Sequence, residues 1–454
     1  MDRIQLLQER KEKLLQASKA VRARIDSLVD EKSFVELSAF SFSKNAFYGD
    51  EVAGEGVVTG FATIDGMPFY IVAQNAESFA GGVSKANCDK IVKCIDAAEK
   101  NCTPVVYVLS SAGVQIGEGV TALEGLAKLL SHANSLKGSA PQFVVVDGDL
   151  YGSTTALAAV ADFTIFVKDK GVLAINSPAV LSAKAGKNLP KEKVGGADAL
   201  DKTGLVSFVE EGMTAVREKI CYLTKLIQGE ETDVDLNVSV PALDEKADFD
   251  GVMSVFDDSV VPCANYASGV QTVLGRIGGM PVAAVVFDGG DDGVELTAEC
   301  MAKVKDFVSL ASLNDLPLVT FVNALGAKAE MSVNNSRFLK EVVAYVDALQ
   351  ALDTSKIAVV YKKAVGLGYT LFASKSIGFD YTCAFATASV ALFDDAQGAL
   401  IEYSGEKADK KAITARYEAE KSDPVNAAKD GYIDDIIRPQ FVRQYIINAL
   451  QMLA

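Results

Sequence analysis

Two stretches, IDGMPFYIVAQ (Ile64–Gln74) and IGGMPVAAVVF (Ile277–Phe287), read as one phrase written twice. Each sets a Gly-Met-Pro turn before an apolar run of strand character. The correspondence extends outward: Pro68 matches Pro281, Pro104 matches Pro317 and Gly113 matches Gly326, every pair 213 residues apart. Between the matching prolines lies a helical pattern. Cys88, Ile91, Ile95 and Ala98 share one face in the first copy, and Met301, Val304, Val308 and Ala311 share it in the second. That i, i+3, i+7, i+10 spacing belongs to an amphipathic helix covering a sheet. The strands PVVYVL and PLVTFV come next, each running to a glycine. Each half therefore reads strand, turn, strand, helix, strand, an α/β layered domain arising by internal duplication.

Composition sets the outer limits. At 454 residues, 49% of them hydrophobic, with 36 Gly and 11 Pro, the chain suits two domains of roughly 200 residues each. No apolar run approaches the ~18 residues of a membrane span. The opening MDRIQLLQERKEKLLQ is a charged amphipathic helix, which reads as cytoplasmic. A net charge of −16 argues against nucleic acid or an anionic membrane as a main partner. The seven cysteines form no C-x-x-C pair, and no metal site is expected. The single histidine, His132, makes imidazole-dependent catalysis a poor fit and reads as a helix-surface residue.

A second correspondence carries the chemistry. PQFVVVDGDLYGSTTALAAVADFTIFV (Pro141–Val167) and SKIAVVYKKAVGLGYTLFASKSIGFDYTCAF (Ser355–Phe385) each pass from an apolar strand through a glycine-containing corner into a small-residue helix. Small residues let a ligand approach the backbone at such a corner. The first N–H groups of the helix lack intrahelical partners, and the helix dipole favours negative charge there. A developing oxyanion is the natural occupant, although a turn chosen for packing is the plain alternative at either corner taken alone.

These residues also carry a resemblance. FAGGVSKANCDKIVKCIDAAEKNCTPVVYVLSSAGVQIGEG (Phe79–Gly119) resembles the carboxyltransferase subunits of biotin-dependent acyl-CoA carboxylases and the related acyl-CoA decarboxylases. So do GLGYTLFASKSIGFDYTCAFATASVALFDDAQGA and DPVNAAKDGYIDDIIRPQFVRQYIINAL further on. The resemblance implies two tandem crotonase-like domains: 1–235 on the CoA side, a linker at 236–262, and 263–454 on the biotin side. It implies a homo-oligomer, a hexamer or dimer, in which the two substrates meet at a subunit interface. A biotin carboxyl carrier protein would be a partner, together with a biotin carboxylase or the subunits of a decarboxylase complex. The chain itself shows no phosphate loop for ATP and no Met-Lys-Met biotinylation site.

By position, Gly152 and Ser153 match the family's first donor pair. Gly366, Leu367 and Gly368 match the second donor turn, with Leu367 and Gly368 favoured as the donors. Gly81, Gly82, Gly113, Gly148, Tyr151, Tyr369 and Thr370 would line the substrate sites, Thr370 where acyl-chain preference is tuned. Carboxyl transfer through the enolates of a thioester and of biotin's ureido group asks for two oxyanion holes, which explains the duplication. Gln115 stands where the family usually has Arg, and NALGAKAEMSVNNSRFLKEVV replaces a Pro-Gly-Phe loop, so the acyl-CoA is left open. Lys184, Lys187, Lys191 and Lys193 read as a solvated loop before they read as phosphate contacts. Three other readings stand beside carboxylation: decarboxylation toward biotin in a sodium-pump complex, a hydratase or isomerase with Glu118 as base, and a non-catalytic scaffold.

Overall fold

The computed structural model describes residues 2–41, 53–240, 243, 248–405 and 409–453; residues 241, 242 and 244–247 of the expected linker lie outside these. The chain divides into two compact units, Met1–Thr224 and Lys225–Ala454. This division falls earlier than residue 235, because the segment after Thr224 bonds into the second unit. The Glu230 carbonyl accepts Arg276 Nε at 2.9 Å, and the Thr232 N–H donates to the Gly279 carbonyl at 3.0 Å.

Among the described residues of the first unit, eight strands form one sheet: β1 (Val35–Leu37), β2 (Val57–Ile64), β3 (Met67–Gln74), β4 (Val105–Ser111), β5 (Gln142–Tyr151), β6 (Phe163–Val167), β7 (Val172–Ala174) and β8 (Phe208–Glu210). Their order is β1-β2-β3-β4-β5-β6-β8, with β7 beside β5. The pairs β1/β2 and β2/β3 are antiparallel and the rest parallel. The second unit has β9 (Asp258–Val260), β10 (Val270–Ile277), β11 (Met280–Phe287), β12 (Val294–Leu296), β13 (Leu318–Ala327), β14 (Lys356–Val365), β15 (Tyr381–Phe385), β16 (Ser389–Ala391) and β17 (Asp435–Ile437). Its order is β9-β10-β11-β13-β14-β15-β17, with β12 beside β13 and β16 beside β14. Parallel strands covered on both faces have no polar side to show, and every residue of β4 is buried.

The quoted stretches form the opening hairpin of each sheet. The turn is not Gly-Met-Pro, as expected from the sequence, because Met67 and Met280 already pair with Ile64 and Ile277. The turn residues are Asp65-Gly66 (φ 53° and 76°) and Gly278-Gly279 (φ 63° and 78°). Positive φ at both central positions matches the twist of the flanking strands. Pro68 sits inside β3 without loss because pairing with β4 begins only at Tyr70. Behind the hairpins lie the expected helices, Lys85–Asn101 and Ala298–Leu313, capped by Ser84 and Thr297. All eight residues of the two expected faces are buried.

Two repeated devices set the register. One extra stretch of backbone bulges from β5 between Val146 and Leu150, and from β14 between Val360 and Ala364. Such bulges bend the strand and re-aim the chain beyond it, here the two corners. At the opposite strand ends, Asp162 accepts the Gln142 N–H at 2.7 Å, and Asp380 accepts the Lys356 N–H at 2.8 Å. Burial pushes the Asp162 carboxyl up from 3.8 to about 6. A raised acid pKa means that the fold holds the proton more tightly than the unfolded chain does. The resulting stabilisation is present below about pH 4 and is lost as pH rises through about 6. Asp162→Asn keeps an acceptor oxygen for Gln142, so denaturant titrations should show wild type losing stability relative to the variant across that window.

Candidate active site

Each unit turns the same corner at the end of its bulged strand. β5 ends at Tyr151 and passes through Gly152 (φ 71°) into the turn Gly152–Thr155 and the helix Ala156–Val160. β14 ends at Val365 and passes through Gly366 (φ 53°) into the helix Leu367–Phe372. A Cβ on Gly152 would lie 3.5 Å from the Gly113 Cα, and one on Gly366 would lie 3.9 Å from the Gly326 Cα. Gly113 and Gly326, which matched in the sequence, thus each meet the glycine that opens the corner of their own unit.

Position in the strand makes Gly152 the equivalent of Gly366, since Tyr151 pairs with Ala174 and Val365 with Ala391. The expected donor pairs, Gly152/Ser153 and Leu367/Gly368, are therefore offset by one residue. The Gly366 N–H is already spent on the Ala391 carbonyl at 3.0 Å. Thr370 is the first residue of its helix to reach back one turn, to the Gly366 carbonyl at 3.1 Å. Leu367 and Gly368 thus occupy the first turn, where N–H groups lack intrahelical acceptors; in the first unit the turn Gly152–Thr155 bonds three residues back, so that place falls to Gly152 and Ser153. Hydroxyls occupy the corner carbonyls: Thr154 Oγ1 donates to Tyr151 and Thr155 Oγ1 to Gly152, both at 2.8 Å, and Thr370 Oγ1 to Gly366 at 3.1 Å.

The remaining first-unit candidates converge on the segment Ser110–Gln115. The Ala112 N–H donates to the Ala80 carbonyl and the Val83 N–H to the Gly113 carbonyl, both at 2.9 Å. A Cβ on Gly81 would come 2.0 Å from the Ser110 carbonyl oxygen, and one on Gly148 would come 2.9 Å from Ser110 Oγ. Gln115 closes over the loop, its Nε2 donating to the Gly82 carbonyl at 3.2 Å. Burial, then Asp149, pushes the Tyr151 phenol up to about 12, which keeps it a neutral hydrogen-bonding group. Of the four lysines, Lys191 is held at 2.9 Å by Asp149 on the bulge, and Lys184, Lys187 and Lys193 are exposed.

In the second unit, Leu367 lines a cleft of about 650 Å³ with Ala327, Val333, Asn334, Arg337 and Phe338. Sequence reasoning marked this segment as divergent and did not place it against Leu367; no local pattern could have, because the two segments meet only through the β13/β14 pairing. Tyr369 is half-buried, its phenol raised by burial, and Thr370 is exposed.

Two residues weighed for catalysis are explained structurally. His132 Nδ1 lies 2.6 Å from Asp96 Oδ1 on a helix surface. Glu118 Oε2 accepts the Lys85 N–H at 2.7 Å, capping the helix Lys85–Asn101. Glu118→Ala should lower stability by about 1 kcal/mol and leave turnover within the wild-type range; loss of turnover would instead favour the hydratase reading.

The Carboxyl transferase domain family matches residues 13–454. The chain belongs to this family. It is accordingly an enzyme, a carboxyltransferase, with the two-domain crotonase-like fold. The methylmalonyl-CoA decarboxylase subunit alpha of Veillonella parvula is 29% identical over 462 residues, covering 97% of this chain and 91% of that protein. The propionyl-CoA carboxylase beta chain of Saccharopolyspora erythraea is 29% identical over 483 residues, covering 96% and 88%. Among solved structures, a transcarboxylase 12S crystal structure, described as a hexamer assembly with methylmalonyl-coenzyme A and methylmalonic acid bound, superposes with a TM-score of 0.90. Its identity is 24%, over 99% of this chain and 95% of that one. Among the described residues of this carboxyltransferase, no helix is long and apolar enough to cross a membrane.

Proposed function

We propose that this carboxyltransferase moves a carboxyl group between biotin on a separate carrier protein and the α-carbon of a short-chain acyl-CoA. The observation that carries the reading is the duplicated corner: two bulged strands, each ending in a positive-φ glycine beside a second glycine and opening a helix. Removing a carboxyl group or a proton from the α-carbon leaves negative charge on the thioester oxygen. Main-chain N–H groups of Gly152 and Ser153 stabilise that charge as it develops, at about 2.7–4 kcal/mol per donor. The first unit holds the thioester, with the Gly81-Gly82 loop and Gly113 admitting its backbone-close approach and Tyr151 at the rim.

Biotin supplies the transferable carboxyl group. The second-unit cleft fits its ring: an apolar wall of Val333, Phe338 and Leu367 stands beside the amide of Asn334 and the guanidinium of Arg337. There the N–H groups of Leu367 and Gly368 serve the ureido oxygen. No side-chain base is needed, in keeping with the structural employment of His132 and Glu118.

The relatives span both carboxylases and decarboxylases, and both directions share these parts. A cytoplasmic homo-oligomer working with a biotin carrier protein, and with either a biotin carboxylase or decarboxylase-complex subunits, completes the proposal. The test mixes the purified chain with free biotin and either malonyl-CoA or methylmalonyl-CoA. Loss of the carboxyl group that depends on biotin supports the reading. Its absence with both thioesters leaves the scaffold alternative.

A further inference from the structure

The two units also share a buried amine that the chemistry above does not use. Lys90 and Lys303 are 213 residues apart, at equivalent places on the helices Lys85–Asn101 and Ala298–Leu313, and are 2% and 4% exposed. Each reaches the mouth of its opening hairpin. Lys90 Nζ donates to the carbonyls of Val57 at 2.6 Å and Gly54 at 3.3 Å. Lys303 Nζ donates to the Tyr266 carbonyl at 2.7 Å and to Gln271 Oε1 at 3.3 Å. Burial pushes both amines down to about 8. A buried amine facing neutral oxygens is an expensive way to hold a turn, so its partners matter.

The surroundings of the two lysines differ. In the first unit, Lys90 grips a turn whose residues Gly54, Glu55 and Gly56 all have positive φ, at 72°, 56° and 69°. The Glu55 carboxylate accepts Ser84 Oγ at 2.6 Å, and Asn87 Nδ2 donates to the Glu55 carbonyl at 2.9 Å. Ser84 caps the helix and ends the glycine loop, next to Val83, which bonds the Gly113 carbonyl. In the second unit, Ser268, Thr297 and Cys300 stand where Glu55, Ser84 and Asn87 do. Thr297 Oγ1 there turns to Cys300 Sγ at 3.4 Å. The strand β12 (Val294–Leu296) replaces the glycine loop. The lysine is kept in both units, while the link to a loop exists only where there is a glycine loop.

We propose that Lys90 is a positioning residue: through the strained turn Gly54–Val57 and the Glu55–Ser84 bond it fixes the loop Ala80–Ser84 that receives the CoA thioester. Lys303 is the same staple without that duty. The proposal rests on the first unit being the thioester side.

The test compares Lys90→Met, Glu55→Ala, Glu55→Gln and Lys303→Met in the full chain. Amide hydrogen exchange across Ala80–Val83 is measured without ligand, and KM and kcat for the acyl-CoA in the biotin-dependent assay. Lys90→Met and Glu55→Ala should speed exchange in the loop and raise KM about tenfold with kcat little changed. Glu55→Gln, which keeps an acceptor for Ser84, should stay near wild type. Lys303→Met should lower thermal stability and leave loop exchange and KM as they were. If Lys90→Met does not fold, Glu55→Ala carries the test alone. Unchanged exchange in Glu55→Ala, or a KM rise in Lys303→Met equal to that of the first-unit variants, overturns the proposal. A wild-type chain without turnover defeats the functional reading instead, and the exchange comparison still decides the positioning role.

Discussion

Leu367→Pro should cut biotin-dependent turnover by about 10²–10³-fold while the protein stays folded, because it deletes one main-chain donor and little else. Leu367 opens the helix Leu367–Phe372, with Gly366 as the residue before it. Proline is tolerated at a first helical position, where the missing N–H had no intrahelical partner. Gly366, at φ 53°, has no side chain to clash with the proline ring. Leu367→Ala is the matched control. It keeps the N–H and trims only the wall of the second-unit cleft, so its effect should fall on KM for biotin. Comparing kcat for the two variants, with circular dichroism to confirm folding, separates the amide from the side chain. Equal kcat in both would remove Leu367 from the donor set.

Gly368→Ala should be as damaging by a different route. Its Cβ would sit 2.2 Å from the Ala324 carbonyl oxygen, 2.6 Å from that carbonyl's carbon and 2.9 Å from the Leu325 oxygen. All three are backbone atoms at the end of β13, so no side chain can rotate away. The first turn must lift off the strand, with an overpacking cost of about 1–3 kcal/mol. The same movement displaces the donors, and turnover should fall by about 100-fold, since a 1 Å misplacement carries that scale of penalty. Gly326→Ala, in the same unit, meets nothing within 4 Å. It should leave the melting temperature close to wild type. The contrast tests close packing at residue 368 and not glycine content in general.

Much of this protein is written locally. The hairpin phrases, the helix faces at Cys88–Ala98 and Met301–Ala311, and the apolar strands arise from period and propensity, which depend only on near neighbours along the chain. The repeat then doubled every such signal, and so both corners could be located before any packing was known. The errors arose where local pattern is degenerate. A Gly-Met-Pro run and an Asp-Gly or Gly-Gly turn are adjacent in sequence, and only cross-strand pairing tells which residues reverse the chain. The two corners fall out of the 213-residue register by one residue for a similar reason. Gly152 and Gly366 are equivalent through the pairing of their strands with β7 and β16, which lie further along the chain.

The amino-acid sequence alone determined that the chain holds two copies of one α/β unit and that each carries a glycine corner, because repetition and periodicity need no third dimension to be read. The tertiary structure decided that the Gly366 N–H is spent on the Ala391 carbonyl, that Glu118 caps a helix, and that Lys90 grips a turn at the hairpin mouth. Those facts depend on which polar groups from distant segments meet when the sheet closes, and burial makes each such meeting count.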